Sequence, residues 1–475
     1  MRRAREVAIS ASSRLLKVCH VFGGTEGGRW AVEQLDALAR EGCECVAILA
    51  GETGSTPDLC RALGIRFKAF DFRLGGWNSL FRFPLTVLRM ALWMRRERFD
   101  VVQSHVFTST LFARPAAWLA DVPVRLAMLT SPIYMQAPTL RWFEKATVRM
   151  ETGVIPSCNL TSDLYREAGI PGRLIKETLY YGPPADRFDP DRATPEGLRA
   201  EFGIPKEAPL IGCVAIFYPR SGEGSLVAPD VRNRFLKGHP DLFRAMPYVL
   251  EEFPDAHLVL VGRGWGADGE AIEEEMRALV HAEGLDEVVH FAGWRPDPAR
   301  VYLDLDVSVQ ASLADNLAGS IESLLMARPT VATRVGGLVD SVVDGQTGVL
   351  VMPADPEDLA RGIRDLLRDR EKAAALGRAG RALMLSRFTL ETTAPALASL
   401  YRRSRAAATG AFRPLTSARR LLAAPFVASA ILARGTFDIL LFLRSRRRAR
   451  RQRSAALGKA AAIRPAPASP ARSSR

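Results

Sequence analysis

The stretch Ala311–Gly345, ASLADNLAGSIESLLMARPTVATRVGGLVDSVVDG, reads as strand end, loop, helix, strand and glycine turn in direct succession. A strand closes at Ser312, a loop of small and polar residues follows, and a helix begins near Gly319 and Ser320. Thr330–Arg334 is the next strand, with Gly336-Gly337 beyond its end. A helix N-terminus offers free N–H groups and a positive dipole end, a seat for a diphosphate. Glu322 lies in that first turn, where an acid can also simply complement the dipole. The loop 315–319 taken alone is an ordinary β-α connection. A second flexible glycine pair at the neighbouring strand end favours a site.

The same rhythm extends outward. Strands are expected at 209–217, 257–262, 288–293, 307–312, 330–334 and 348–351. In the first half they are expected at 15–22, 45–50, 65–71, 101–105, 124–129, 153–158 and 175–181. Between them Arg29–Glu41 and Pro84–Arg98 carry apolar residues at three- and four-residue spacing, as helices do. Asp355-Pro356-Glu357 opens a further helix, with an N-cap acid and a first-turn proline. Alternating strands and helices imply a parallel sheet with helices on both faces. The polar, proline-bearing stretch 189–208 separates two such runs. The expectation is α/β: two Rossmann-like, doubly wound domains facing a cleft. They cover 15–188 and 205–388, followed by a crossover helix at 389–405 and a basic tail at 406–475. Such sheets bind ligands at the carboxyl ends of their strands.

Composition agrees with that architecture. At ~150 residues per domain, 475 residues suggest two large domains or three. A 48% hydrophobic and 25% charged content excludes disorder throughout, collagen-like repeats and a polytopic membrane protein. The net charge of +13 is unevenly placed. Residues 402–475 hold 18 Lys and Arg against Asp438 alone, so the other 401 residues hold 47 bases and 51 acids. The body is slightly acidic, which argues against a nucleic-acid-binding body. Six cysteines without a C-x-x-C pair read as reduced thiols. The basic N-terminus lacks the apolar core of a signal peptide, and its LLKVCHVF run reads as a strand.

Two further patterns have plain readings. Gly262-Arg263-Gly264-Trp265-Gly266-Ala267 matches G-x-G-x-x-A after a strand, but the next strand ends in Ala292-Gly293-Trp294 without the acid that holds a ribose. A tight turn is the simpler reading. Asp304-x-Asp306 spells a metal-binding D-x-D, yet it stands at the start of a strand, where acids cap helices or face solvent.

The stretch first quoted resembles glycosyltransferase family 4, the retaining, nucleotide-sugar-dependent enzymes of GT-B fold. The matching residues are Glu322, Pro329-Thr330-Val331-Ala332-Thr333-Arg334-Val335-Gly336-Gly337 and Asp344-Gly345-Gln346-Thr347-Gly348. Three earlier stretches match as well. They are Gly27-Gly28 after the first strand, Asp100-Val101-Val102-Gln103-Ser104-His105, and Tyr181-Gly182-Pro183-Pro184-Ala185-Asp186-Arg187-Phe188. The resemblance runs over about 15–402 and is strongest at 237–351. It implies His105, Asp315 and Glu322 as catalytic residues. It implies donor contacts from Gly27, Gly28, Lys237, Arg234, Gly262, Gly319, Ser320 and Glu322. Lys237 and the 319–322 amides would take the diphosphate charge, so neither a metal nor any other cofactor is expected.

Three departures stand out. Asp315 lies seven positions before Glu322, where the family has a Glu eight before. The family's Arg after the first strand of this domain falls near Ile216, which leaves Arg234, Arg232 or Arg220 to join Lys237. Thr130-Ser131-Pro132 replaces the family's next His.

The resemblance implies transfer of a sugar from a nucleotide diphosphate donor to a glycan or lipid-linked acceptor. The alternatives are an epimerase or phosphorylase of the same fold, or a non-catalytic membrane-associated relative. In the tail, Leu421–Leu443 is largely apolar between Arg419-Arg420 and the basic run Arg444–Arg453. That pattern suggests an interfacial helix on an anionic membrane, hence a cytoplasmic protein peripheral on the inner face. No specific nucleic acid is expected.

Overall fold

The computed structural model describes residues 15–73 and 79–409. The interfacial helix expected at 421–443 lies outside them. No helix among the described residues is long and apolar enough to cross a membrane.

Six strands form the first sheet: β1 (Leu16–Phe22), β2 (Cys43–Leu49), β3 (Arg66–Ala69), β4 (Val101–His105), β5 (Val124–Met128) and β6 (Gly153–Val154). Six more form the second: β7 (Leu210–Val214), β8 (His257–Val261), β9 (Val289–Gly293), β10 (Val307–Gln310), β11 (Thr330–Thr333) and β12 (Val349–Val351). Their orders are β3-β2-β1-β4-β5-β6 and β12-β11-β10-β7-β8-β9, the same arrangement twice. Every pairing is parallel. Strands such as β8, HLVLV, are buried on both faces because helices cover both sides.

The order reverses between β1 and β4 and between β7 and β10. Connections leave to opposite faces there, and a crevice opens at the carboxyl ends. The two crevices carry the residues of interest. The stretch expected as a strand at 175–181 is an exception. It meets β6 only through a bridge between Ile175 and Val154. Pro156 has no N–H with which to continue that ladder.

The helices follow their apolar spacing. Arg29–Arg40 buries Ala31, Val32, Leu35 and Leu38. Asp355 caps Pro356–Arg368 by accepting the Asp358 N–H at 3.0 Å. The last helix, Leu390–Thr409, returns to the first sheet, where Leu397, Leu400 and Tyr401 pack with Val18, Leu38 and Val124. Two chain segments cross where it begins. Leu390 N–H donates to the Pro183 carbonyl at 3.1 Å. A Cβ on Gly182 would stand 1.4 Å from the Phe388 carbonyl oxygen, so only glycine fits between them.

Candidate active site

Lys237 and Asp315 meet at the carboxyl end of β10. Lys237 follows an excursion from β7 over residues 218–236, and its Nζ lies 2.6 Å from Asp315 Oδ2. Ser312 Oγ donates to the same oxygen at 2.7 Å, and the Asn316 N–H donates to Oδ1 at 2.8 Å. Burial pushes the Asp315 carboxyl up, but Lys237 and these donors outweigh it and hold the group below its ordinary range. Burial likewise lowers Lys237, and Asp315 more than restores it. Both groups are therefore charged. Gly336-Gly337 sits against this loop. A Cβ on Gly336, which has φ +54°, would lie 1.9 Å from the Asp315 carbonyl oxygen.

Glu322 is in the first turns of the helix Ala318–Leu325, half-buried, with Oε2 3.4 Å from the Tyr302 hydroxyl. Burial pushes its carboxyl up to about 7, against the attraction of Arg187 and Lys237 and with repulsion from Glu33. Arg187 and Glu33 come from the other half of the chain, and Arg187 Nη1 lies 3.4 Å from Glu33 Oε1. Arg187 was visible in the sequence inside the 181–188 motif without a stated charge role. Glu33 gave only a weak signal, its place in the first helix after the glycine pair.

The remaining expected residues divide. Gly27 faces the second domain: a Cβ there would lie 3.4 Å from the Trp265 ring. Gly28 packs on Thr56, whose Oγ1 accepts its N–H at 3.1 Å. Gly262 passes so close to Ala215 that a Cβ would stand 2.0 Å from its carbonyl oxygen, the tight turn foreseen. Gly319 lies beside the Gln310 amide, and its carbonyl accepts from Tyr302 at 3.3 Å.

Three of the expected residues are engaged within the protein. The Ser320 hydroxyl is buried and bonded to the Leu317 carbonyl at 2.6 Å and to Ser341 Oγ at 2.7 Å, and its N–H bonds the Leu317 carbonyl. These bonds shape the helix start. Arg234 turns to Asp241, 3.5 Å away, because the excursion directs it there; the arginine acting on Glu322 is Arg187.

His105 is fully buried rather than open to the cleft. Its Nδ1 is 2.8 Å from the Tyr181 hydroxyl and its Nε2 is 3.1 Å from His20 Nδ1. His20 Nε2 is 2.8 Å from the Tyr401 hydroxyl, which donates to Gln103 Oε1 at 2.7 Å. The Tyr181 hydroxyl also donates to the Met128 carbonyl at 3.1 Å, so these groups form one buried network. Burial holds both imidazoles neutral, His20 at about 3 and His105 well below its ordinary value. This network ties the 181 crossing and the last helix to β1 and β4.

Asp304 and Asp306 are also structural. Asp304 accepts the Gly197 and Leu198 N–H groups at 2.8 and 3.0 Å. Asp306 holds Arg199 at 2.7 Å and the Leu210 N–H at 2.8 Å. Among the described residues no group of three or more His, Cys, Asp or Glu is placed to hold a metal.

The two halves touch around the cleft. Thr139 bonds Ser225 of the excursion through its N–H at 3.0 Å and its hydroxyl at 2.8 Å. The Asn159 N–H donates to Asp340 at 2.8 Å. The cleft thus offers a charged pair, a proton-holding carboxyl and an arginine from the opposite wall, a set suited to an anionic, hydroxyl-bearing ligand.

Comparison with known proteins fits this division. The model for glycosyl transferase 4-like domains matches residues 26–176, and that for glycosyl transferases group 1 matches 231–369. The D-inositol 3-phosphate glycosyltransferase of Corynebacterium kroppenstedtii is 31% identical over 226 residues, 46% of each chain. The chain spans about half the length of this and related corynebacterial proteins. The lipopolysaccharide core biosynthesis glycosyltransferase LpsE of Rhizobium meliloti is 26% identical over 403 residues, 81% of this chain and 98% of LpsE. The Anabaena HepE structure, solved with UDP and glucose, superposes with a TM-score of 0.66 at 18% identity. That match covers 82% of this chain and 99% of HepE, and it identifies the GT-B fold. With one matched model on each sheet and full-length likeness to LpsE, the chain belongs to glycosyltransferase family 4.

Proposed function

We propose that this protein transfers a sugar from a nucleotide diphosphate donor to a hydroxyl of a glycan or lipid-linked acceptor, with retention. The observation that carries the reading is the Lys237–Asp315 pair beside Glu322 at the second sheet's crevice. Lys237 is charged and fixed, as a group that absorbs the leaving diphosphate's charge must be. Glu322, once ionised, accepts hydrogen bonds from donor hydroxyls. Arg187 crosses from the first domain, so the site is complete only when both walls meet, which suits closure on substrate. LpsE is named for lipopolysaccharide core biosynthesis, which supports a glycan or lipid-linked acceptor. The tail's charge supports contact with an anionic membrane on the cytoplasmic side.

The test is turnover of purified protein with a panel of nucleotide sugars, read as nucleoside diphosphate release, with product anomeric configuration by NMR. Acceptor-dependent release with the donor's configuration kept supports the reading. Donor epimerised without an acceptor, or binding without turnover, replaces it.

A further inference from the structure

Asp340 belongs to the second domain and is bonded to the first. Its Oδ2 accepts the Asn159 N–H at 2.8 Å, and its Oδ1 accepts the Asn159 side-chain amide at 3.2 Å. Asn159 opens the helix Asn159–Glu167, and Cys158 before it makes no side-chain cap. The positive end of that helix thus takes its acceptor from a carboxylate 181 residues further along the chain. The Tyr180 hydroxyl also donates to Asp340, and Arg387 Nη2 lies 3.5 Å from that hydroxyl.

The segment that carries Asp340 is built into the second domain's wall of the cleft. It is the short helix Leu338–Ser341, directly after Gly336-Gly337. A Cβ on Gly337 would lie 2.5 Å from the Asn316 carbonyl oxygen, next to Asp315. Leu338 is buried, and Ser341 Oγ is 2.7 Å from Ser320 Oγ, in the helix that carries Glu322. One four-residue element therefore touches the Asp315 loop, the Glu322 helix and the opposite domain. Asp340 itself is only half-buried, so water can take over its carboxylate when the domains part.

We propose that Asp340 is a positioning residue that latches the two domains through Asn159, so that closure of the cleft and alignment of the Asp315 and Glu322 segments occur together. The link to the donor rests on the transferase reading. The latch itself is a contact between domains and is read without a donor.

The experiment uses the full chain with one spin label on each domain, at Leu63→Cys and Met352→Cys, both exposed. The native cysteines are buried except the half-buried Cys45, which keeps background labelling low. With Asp340 and Asn159 intact, the distance distribution between the labels should be narrow without any substrate. Asp340→Ala should shift and broaden it, and Asp340→Asn, which keeps one acceptor oxygen, should fall between. Asn159→Pro should reproduce Asp340→Ala at unchanged melting temperature. Proline is favoured at a first helical position, and Cys158 before it is already extended, with φ −159° and ψ 168°. The double variant should add nothing further, because both changes remove one contact. Val339→Ala, exposed beside the latch, is the control and should leave the distances alone.

With the nucleotide sugar that turns over, Asp340→Ala should raise donor KM about tenfold and keep kcat within about twofold. Loss of a charge-assisted bond lowers the closed population by that order. Unchanged distances in Asp340→Ala and Asn159→Pro, additive effects in the double variant, or a lower melting temperature with distances kept overturn the proposal. Altered distances with an unchanged KM overturn the coupling to the donor. Altered distances with no turnover on any nucleotide sugar support the latch and overturn the transferase reading alone.

Discussion

Lys237 Nζ and Asp315 Oδ2 are 2.6 Å apart, so the cation expected to meet the donor is already held by a carboxylate seven residues before Glu322. Removing one partner leaves the other charged and largely dry. Asp315→Asn should cost about 1–3 kcal/mol of stability, below the range for fully buried pairs because both side chains keep some solvent contact. Lys237→Met with Asp315→Asn should recover part of that loss. Turnover should stay 30- to 1000-fold down in both, the effect of about 2–4 kcal/mol at the transition state. Thermal melting with donor turnover measures both.

Glu322 makes a pH prediction with a definite sign. Its ordinary value is 4.5 and burial raises it to about 7 in the fold. The folded protein therefore binds this proton more tightly than the unfolded chain. Its stabilising contribution is complete below about 4.5 and is lost as pH rises through about 7. Glu322→Gln should flatten the melting profile in that window. Donor affinity in the wild type should rise with pH up to about 7, because hydroxyls need the ionised form. Arg187→Gln should move that rise to higher pH, since Arg187 is the foremost attraction holding the value down.

His105 and Tyr401 belong to one buried hydrogen-bond network. His105→Ala or Tyr401→Phe strands buried polar groups, at about 1–3 kcal/mol each. The melting temperature should drop, with turnover per folded molecule nearly kept at temperatures well below melting. Loss of turnover at full stability would return His105 to the chemistry.

Gly336→Ala tests how the loop is braced. A Cβ would meet the Asp315 carbonyl oxygen at 1.9 Å on a residue with φ +54°. The loop must move, and Lys237 with it. A fall in turnover larger than the fall in stability is expected, measured side by side with Gly345→Ala, where a Cβ meets nothing at a similar φ.

The sequence by itself determined the repeated parallel sheets, and it singled out Lys237, Asp315 and Glu322 as candidates around the ends of the second sheet's strands. These rest on local patterns: apolar runs of strand length, helix caps, and glycines at strand ends. Tertiary structure alone decided the rest. Whether His105 meets the cleft depends on His20, Tyr181 and Tyr401, which lie 85, 76 and nearly 300 residues away. Arg187 lies against Glu33 and Arg234 against Asp241 because long-range packing aims each side chain. Residue type and spacing record what a group can do, whereas its exposure and partners are set by chain segments that meet only on folding.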